Sequence, residues 1–216
     1  MKIDQPKIPQ ELSQANFQDI YYEEDPHLNN CQVTNSTFDN EDMGRVELSK
    51  TVIRNSSFQN TKFRNIDLTD VIFENCDFSN GDLSEGNIHR AVFKGCKLMG
   101  VNFSESRFGD VRFEECVLNL SAFGYANLKK VEFYNSDLIN TDFYECHFNK
   151  INYLYCNIDG TSFDRTPLKG VDISTSQFRR LTVSLNELVG CKVSTEQAIN
   201  FAAMLGLIIE DEFKPK

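Results

Sequence analysis

No stretch of the sequence approaches the run of apolar residues needed to cross a membrane, and Met1 to Gln10 lacks the apolar centre of a signal peptide. The expectation is a cytoplasmic protein without membrane contact. Positive charge is also short. The chain has 22 Lys and Arg against 32 Asp and Glu, a formal net charge of −10, which argues against direct binding of nucleic acid. There are three histidines, no Cys-x-x-Cys pair, no Gly-rich phosphate loop after a strand, no nucleophile elbow and no His-Glu-x-x-His. Without those constellations the sequence offers no catalytic residue, no metal site and no cofactor site, and an enzyme is not expected. The seven cysteines are an odd number, which speaks against a disulfide framework.

What the chain has instead is a period. Every fifth residue from Leu28 to Val183 is Leu, Phe, Ile, Val, Met or Tyr, 32 positions in succession without a slip. A helix repeats near 3.6 residues and a strand at 2, so neither accounts for a spacing of five. A fixed internal period marks a repeat architecture, in which each unit buries its apolar residue only by stacking on its neighbours. Two residues before each central position the chain is mostly small or β-branched, as at Cys76, Gly81, Gly86, Ala91, Cys96 and Val101. One residue before it Asp or Asn is frequent, as at Asp67, Asp77, Asp82, Asn87 and Asn102.

Read as small, Asp/Asn, Phe/Leu, polar, polar, the unit resembles the pentapeptide-repeat family. Cys76-Asp77-Phe78-Ser79-Asn80 and Thr141-Asp142-Phe143-Tyr144-Glu145 match it closely. The resemblance implies an all-β solenoid, a right-handed quadrilateral β-helix in which four pentapeptides make one square coil, with about eight coils stacked like strands in a sheet. The central and small residues point inward and the other three outward. Of 18 Phe, 15 take central positions, and Phe73, Phe93, Phe113 and Phe133 would form one stacked ladder. Cys31, Cys76, Cys96, Cys116, Cys146, Cys156 and Cys191 all take the small inward position, where Cys behaves as a small hydrophobe. His89 and His147 fall on one wall nearly three coils apart, about 14 Å, too far for one zinc. The many Asp and Asn are accounted for by hydrogen bonds to local backbone at each bend. Three regions follow: an irregular N-terminal cap over residues 1–27, the β-helix over 28–183, and a C-terminal helical cap and dimerisation module over 184–216. In the first of these, Phe17 and Tyr22 keep the spacing of five but sit one residue out of phase with Leu28, and Glu23, Glu24 and Asp25 belong to an extended, acidic lead-in.

The outward residues differ from wall to wall. The wall through Phe63, Leu83, Phe103, Phe123 and Phe143 has a net charge of −4, with Asp82, Glu85, Glu105, Asp142, Glu145 and Asp164 as its principal acids. The wall through Leu68, Ile88, Phe108 and Leu128 carries Arg90, Arg107, Lys129, Lys130, Lys150 and Lys169 along with Lys50, and is net +3. Some outward positions are apolar where the repeat does not need it, among them Met99, Leu120, Tyr125 and Ile139. Tyr134, Tyr144, Leu154 and Tyr155 are the candidate contact patch, because exposed Tyr clusters resemble protein interfaces.

After Val183 the period breaks, and Ser184 with Glu187 and Ser194 with Gln197 have the capping-box spacing of helix starts. The second helix carries Ala198, Phe201, Ala202 and Leu205 as an apolar stripe, Gly206 is placed to end it, and Leu207-Ile208-Ile209 reads as a short strand. Together these residues are the candidate surface for a homodimer about a two-fold axis. The stretch from Gly190 to Ala198, followed by Leu205-Gly206-Leu207, is similar to the C-terminal helix of the Qnr-type quinolone-resistance pentapeptide proteins. The unbroken coils, with no room for projecting loops, resemble the chromosomal Gram-positive branch of that group. The resemblance implies a tail-to-tail dimer that imitates duplex DNA, binds DNA gyrase and topoisomerase IV, and protects them from quinolones. The acidic wall would then face the enzyme. The other reading from the residues is a scaffold that binds a different protein through the Tyr-rich patch.

Overall fold

The computed structural model describes residues 1–22, 25–204 and 206–210. Within each five-residue unit the small residue, its polar neighbour and the central residue alternate in, out, in, as in any pleated strand. The two residues that follow turn the corner, and the second of them has positive φ at nearly every corner, as at Asn60 (+55°), Asn80 (+58°) and Gly100 (+68°). Asn, Asp and Gly tolerate this left-handed conformation best, and ten of the 25 non-glycine residues that adopt it are Asn. The period of five is therefore three residues of strand and two of bend.

Repeated bends coil the chain, and residues 20 apart pair in parallel register. The strands are β1 (Ser13–Ala15), β2 (His27–Asn29), β3 (Cys31–Thr34), β4 (Glu47–Arg54), β5 (Asp67–Glu74), β6 (Asn87–Lys94), β7 (Arg107–Glu114), β8 (Asn127–Tyr134) and β9 (His147–Leu154). From β4 onward each strand covers two adjoining walls and bends at its fourth residue, so that Leu48 lies beside Leu68 and Ile53 beside Phe73. The other two walls are held by isolated parallel bridges such as Asp77 with Lys97 and Asp82 with Asn102. The result is a parallel all-β solenoid of about seven turns, against about eight from the sequence count.

The core is a set of ring ladders. Phe73, Phe93, Phe113, Phe133 and Tyr153 stack with successive centroids 5.0 Å apart, and Phe103, Phe123 and Phe143 form a second column at 4.9 and 4.8 Å. Six of the seven cysteines are buried in the small position, and the seventh, Cys191, is half-buried. Their thiols reach backbone carbonyls, as from Cys116 to Phe93 O (3.2 Å). Burial pushes Cys156 up to about 11, so the thiol stays protonated and unreactive at neutral pH.

The ends depart from the sequence expectation in four ways. First, Phe17 is fully buried, but its inward partner is Ile20; Tyr22 is 88% exposed. A 3-10 helix over Phe17–Tyr22 replaces the five-residue spacing, and Phe17 packs against Phe38 and Phe58 to close the first coil. Second, residues before β1 do not cover that end. The Asp4 N–H donates to the Asp110 carboxylate (3.0 Å) and the Lys7 N–H to that of Asp70 (2.9 Å). Asp70 and Asp110 stand two coils apart, about 9.6 Å, which three extended residues span at about 3.3 Å each. The N-terminal segment is thus a strap laid along the solenoid axis. Third, the coil runs past Val183. Leu188 and Val193 keep the spacing of five and pack on the core, and Lys192 bridges to Asp172. The short helix α1 (Leu185–Leu188) occupies one side of this last turn, with Leu168 N–H donating to Glu187 O. Fourth, Leu207 to Ile209 is not a strand, and no strand among the described residues pairs with it.

Candidate functional site: charged walls and the C-terminal face

The acidic wall divides into structural and free carboxylates. Asp82 Oδ1 accepts from Ser84 Oγ (2.7 Å), Ser84 N–H (3.2 Å) and Asn102 Nδ2 (3.1 Å), while Oδ2 accepts from Arg64 (2.6 Å). Burial opposes its ionisation, but the Ser84 and Arg64 donors outweigh that and hold its pKa below the usual carboxylate value. Asp82 is therefore a bend carboxylate, as the Asp/Asn preference of the repeat expects. Glu145 is paired with Arg165 (2.7 Å) and Asp42 with Lys62 (2.9 Å). Glu85, Glu105, Asp142 and Asp164 enter no ion pair among the described residues. Glu85 and Glu105 stand at corners with φ of +58° and +61°, projecting from the edge of the wall. Of the six acids singled out in the sequence, four remain available, roughly one per coil at the sheet spacing.

On the basic wall two of the seven bases are held by acids, while Lys50, Arg107, Lys129, Lys150 and Lys169 enter no ion pair among the described residues. Arg90 forks onto Asp70 through Nε (2.6 Å) and Nη2 (2.8 Å), and Lys130 reaches Asp110 (2.9 Å) and Asp4 (3.5 Å). The strap lies over this corner. His89 faces Gly109 O with Nδ1 (3.1 Å) and the Arg90 guanidinium with Nε2, so both ring nitrogens are engaged and the ring braces the corner. A Cβ at position 109 would lie 2.9 Å from that ring, which explains the glycine. Among the described residues no group of His, Cys, Asp and Glu could hold a metal ion, and no helix is long and apolar enough to cross a membrane.

The four-residue contact patch separates into two. Tyr134 and Tyr155 meet edge to face at 6.1 Å with Leu154 beside them, and Arg112 lies over the Tyr134 ring (5.0 Å). Tyr144 pairs with Tyr125 instead (5.5 Å) and lies under Arg165 (5.5 Å). Residues 134 and 144 are ten apart, half a coil, so the two pairs stand on opposite walls. The four residues share a height along the rod but not a side of it.

The C-terminal helix α2 (Thr195–Met204) begins at a reciprocal capping box: Ser194 N–H donates to Gln197 Oε1 (2.9 Å) and Gln197 N–H to Ser194 Oγ (3.2 Å). Gln197 does more than cap, since its Nε2 also donates to Ile173 O (2.8 Å) and Ser176 O (2.7 Å), carbonyls of the last turn. Phe201 packs on Phe178 (5.4 Å). The inward face is thus Gln197 and Phe201, while Ala198 points to solvent and Ala202 is half-buried. Ala198 does not belong to the inward stripe because Gln197, one residue earlier, takes the place over the open coil. Leu205 lies outside the described residues. Gly206 ends the helix with φ of +78°, and Ile199, Leu207, Ile208 (92%) and Ile209 are exposed.

A solenoid of stacked five-residue units with ring ladders inside and bends at fixed intervals is the pentapeptide-repeat architecture, and the family model for the pentapeptide repeat region matches residues 66–141. The fold of the chain resembles the Qnr type. Full-length QnrB1, a plasmid-mediated fluoroquinolone resistance protein, has 19% sequence identity and a TM-score of 0.51, covering 90% of this chain and 95% of its own. A trypsin-treated QnrB1 variant has 22% identity and a TM-score of 0.51 over 83% of this chain and 90% of its own. HetL, a pentapeptide repeat protein involved in heterocyst differentiation regulation in the cyanobacterium Nostoc, has 18% identity and a TM-score of 0.48, over 78% and 83%. At these identities the likeness concerns the fold. No curated protein matches the sequence significantly.

Proposed function

We propose that the protein is a non-catalytic cytoplasmic rod that contacts a type II topoisomerase, DNA gyrase or topoisomerase IV, through its acidic wall, and so protects it from quinolones. The observation that carries the reading is the set of four carboxylates without ion pairs, Glu85, Glu105, Asp142 and Asp164, on one wall of the solenoid, the side a basic DNA-binding surface would meet. QnrB1, whose fold this chain shares, is a fluoroquinolone resistance protein, which supports the same reading. Because Asp82 and Glu145 are engaged within the wall, recognition falls to the four free acids. Reversal of all four to Lys should abolish any effect of the protein on gyrase supercoiling, with and without ciprofloxacin. Retention of inhibition or rescue by the reversed protein would show that another surface makes the contact.

The exposed Ile199, Leu207, Ile208 and Ile209 favour assembly of two copies end to end, which doubles the acidic wall along one axis. Truncation at Ser194 is a poor test of this, because it would remove the Gln197 plug as well. Ile208→Lys alters only an exposed side chain, and light scattering should then report the mass of a single chain. An unchanged dimer mass would place the interface elsewhere.

A further inference from the structure

One coil of the acidic wall breaks its pattern. The corner line that opens the wall is Asn40, Asn60, Asn80, Gly100, Leu120, Asn140 and Gly160, so Leu120 is the one residue there that neither suits positive φ nor is polar. Its φ is +62° and it is 61% exposed, so neither the bend nor the core explains it. At the other corner of the same wall and coil, Tyr125 has φ of +61° and is 57% exposed, in a line that runs Arg45, Asn65, Glu85, Glu105, Tyr125, Glu145 and Arg165. Between the two stand Ala122 and Gly124. The Gly124 backbone is not left-handed, and a Cβ there would meet nothing closer than Tyr144 O at 3.8 Å. The glycine is thus not required by packing, and it leaves the span from Leu120 to Tyr125 low and neutral. Tyr144, edge-on to Tyr125, continues the aromatic surface into the next coil, where Arg165, paired with Glu145, lies over its ring.

Charge resumes on both sides. Glu85 and Glu105 precede the band and Asp142 and Asp164 follow it, at about 4.8 Å per coil. A phosphate-like surface would have no use for an apolar interruption, and a bare apolar patch would not be framed by acids. From this juxtaposition we infer that the band is a docking surface for a basic protein segment, with one aliphatic side chain seated between Leu120 and Tyr125 and Lys or Arg on either side of it. The inference rests on the acidic wall being a contact face, and it specifies what the partner must present there. Strain and exposure of two bulky residues are retained because the partner covers them.

The probes are two fluorescein-labelled peptides, Gly-Lys-Arg-Leu-Arg-Lys-Gly and the same sequence with Ser for Leu, read by fluorescence anisotropy against the full chain. The Leu peptide should bind about ten-fold more tightly, as expected when one aliphatic side chain leaves water. That ratio should survive added salt, which weakens both peptides together. In Leu120→Asn/Tyr125→Asn the ratio should fall below about two-fold. This variant folds, because Asn already holds the corner equivalent to 120 at 40, 60, 80 and 140, and the corner equivalent to 125 at 65. Tyr155→Asn, on the opposite wall, should keep the full ratio. Equal binding of the two peptides, a ratio unchanged in the double variant, or a ratio lost in Tyr155→Asn would each overturn the inference. Reversal of Glu85, Glu105, Asp142 and Asp164 should weaken both peptides alike. If it weakens neither, the acidic-wall reading fails, while the ratio between the peptides still reports on the band.

Discussion

Tyr153 and Leu120 depart from the repeat in opposite directions. Tyr153 sits in the ladder of Phe rings, fully buried, and its hydroxyl has no hydrogen-bond partner among the described residues. A buried hydroxyl without a partner costs about 1–3 kcal/mol. Tyr153→Phe keeps the stack on Phe133 and removes that cost, so Tm should rise by about 2–4 °C for each kcal/mol recovered; scanning calorimetry would show it, and a fall in Tm would mean the hydroxyl is satisfied. Leu120 carries its cost outside the core, where a left-handed bend is unfavourable by roughly 1–2 kcal/mol for a residue with a side chain. The inward residues were legible in the sequence because a fixed spacing of five leaves the same side of the chain facing the axis at each step. The strain at Leu120 was not legible as energy. Its oddness in a column of Asn and Gly was visible only once the unit of five was known to end in a left-handed bend.

At the level of elements, the strap is what the sequence did not reveal. Its residues alternate weakly, with Ile3, Pro6 and Ile8 half-buried, and nothing local tells an extended lead-in to turn along the axis. The instruction lies more than 60 residues away, in Asp70 and Asp110. Hydrogen bonding from Arg90 is the main cause that holds Asp70 below the usual carboxylate pKa; for Asp110, burial raises the value but the Asp4 N–H and Lys130 outweigh it. Both shifts are downward, so the stabilisation is complete above the ordinary carboxylate pKa of about 4 and is lost as pH falls through the lower folded values. The Asp4 and Lys7 amides should therefore exchange slowly near neutrality and lose protection below about pH 4, before the coils themselves unfold. Amide protection measured against pH checks this, with Asp70→Asn/Asp110→Asn as the variant that should be unprotected throughout. The C-terminal element was easier to anticipate. Ser194 and Gln197 have the spacing of a reciprocal cap, and both bonds of that cap form. What the spacing does not reveal is that the same Gln197 seals the coil through its amide nitrogen, since that depends on where the last turn ends.

For the whole molecule, the two walls differ in the sign of the charge left unpaired on them. Arg90 and Lys130 of the basic wall are paired with Asp70, Asp110 and Asp4, while its Lys50, Arg107, Lys129, Lys150 and Lys169 stay unpaired among the described residues, as do Glu85, Glu105, Asp142 and Asp164 of the acidic wall. The pairs that do form on the basic wall join residues 20 apart, Arg90 with Asp70 and Lys130 with Asp110. The same spacing governs how the rod holds together. A stack of repeats in contact only with nearest neighbours unfolds piecemeal from its ends, each unit coming loose at the cost of one interface. Here a hydrogen bond joins residue 4 to residue 110, so the first coil is tethered to one four turns further in. Fraying at the N-terminal end cannot proceed without peeling the strap from a stretch of rod still folded beneath it, and the upper half of the solenoid is thereby made to come apart as one cooperative unit.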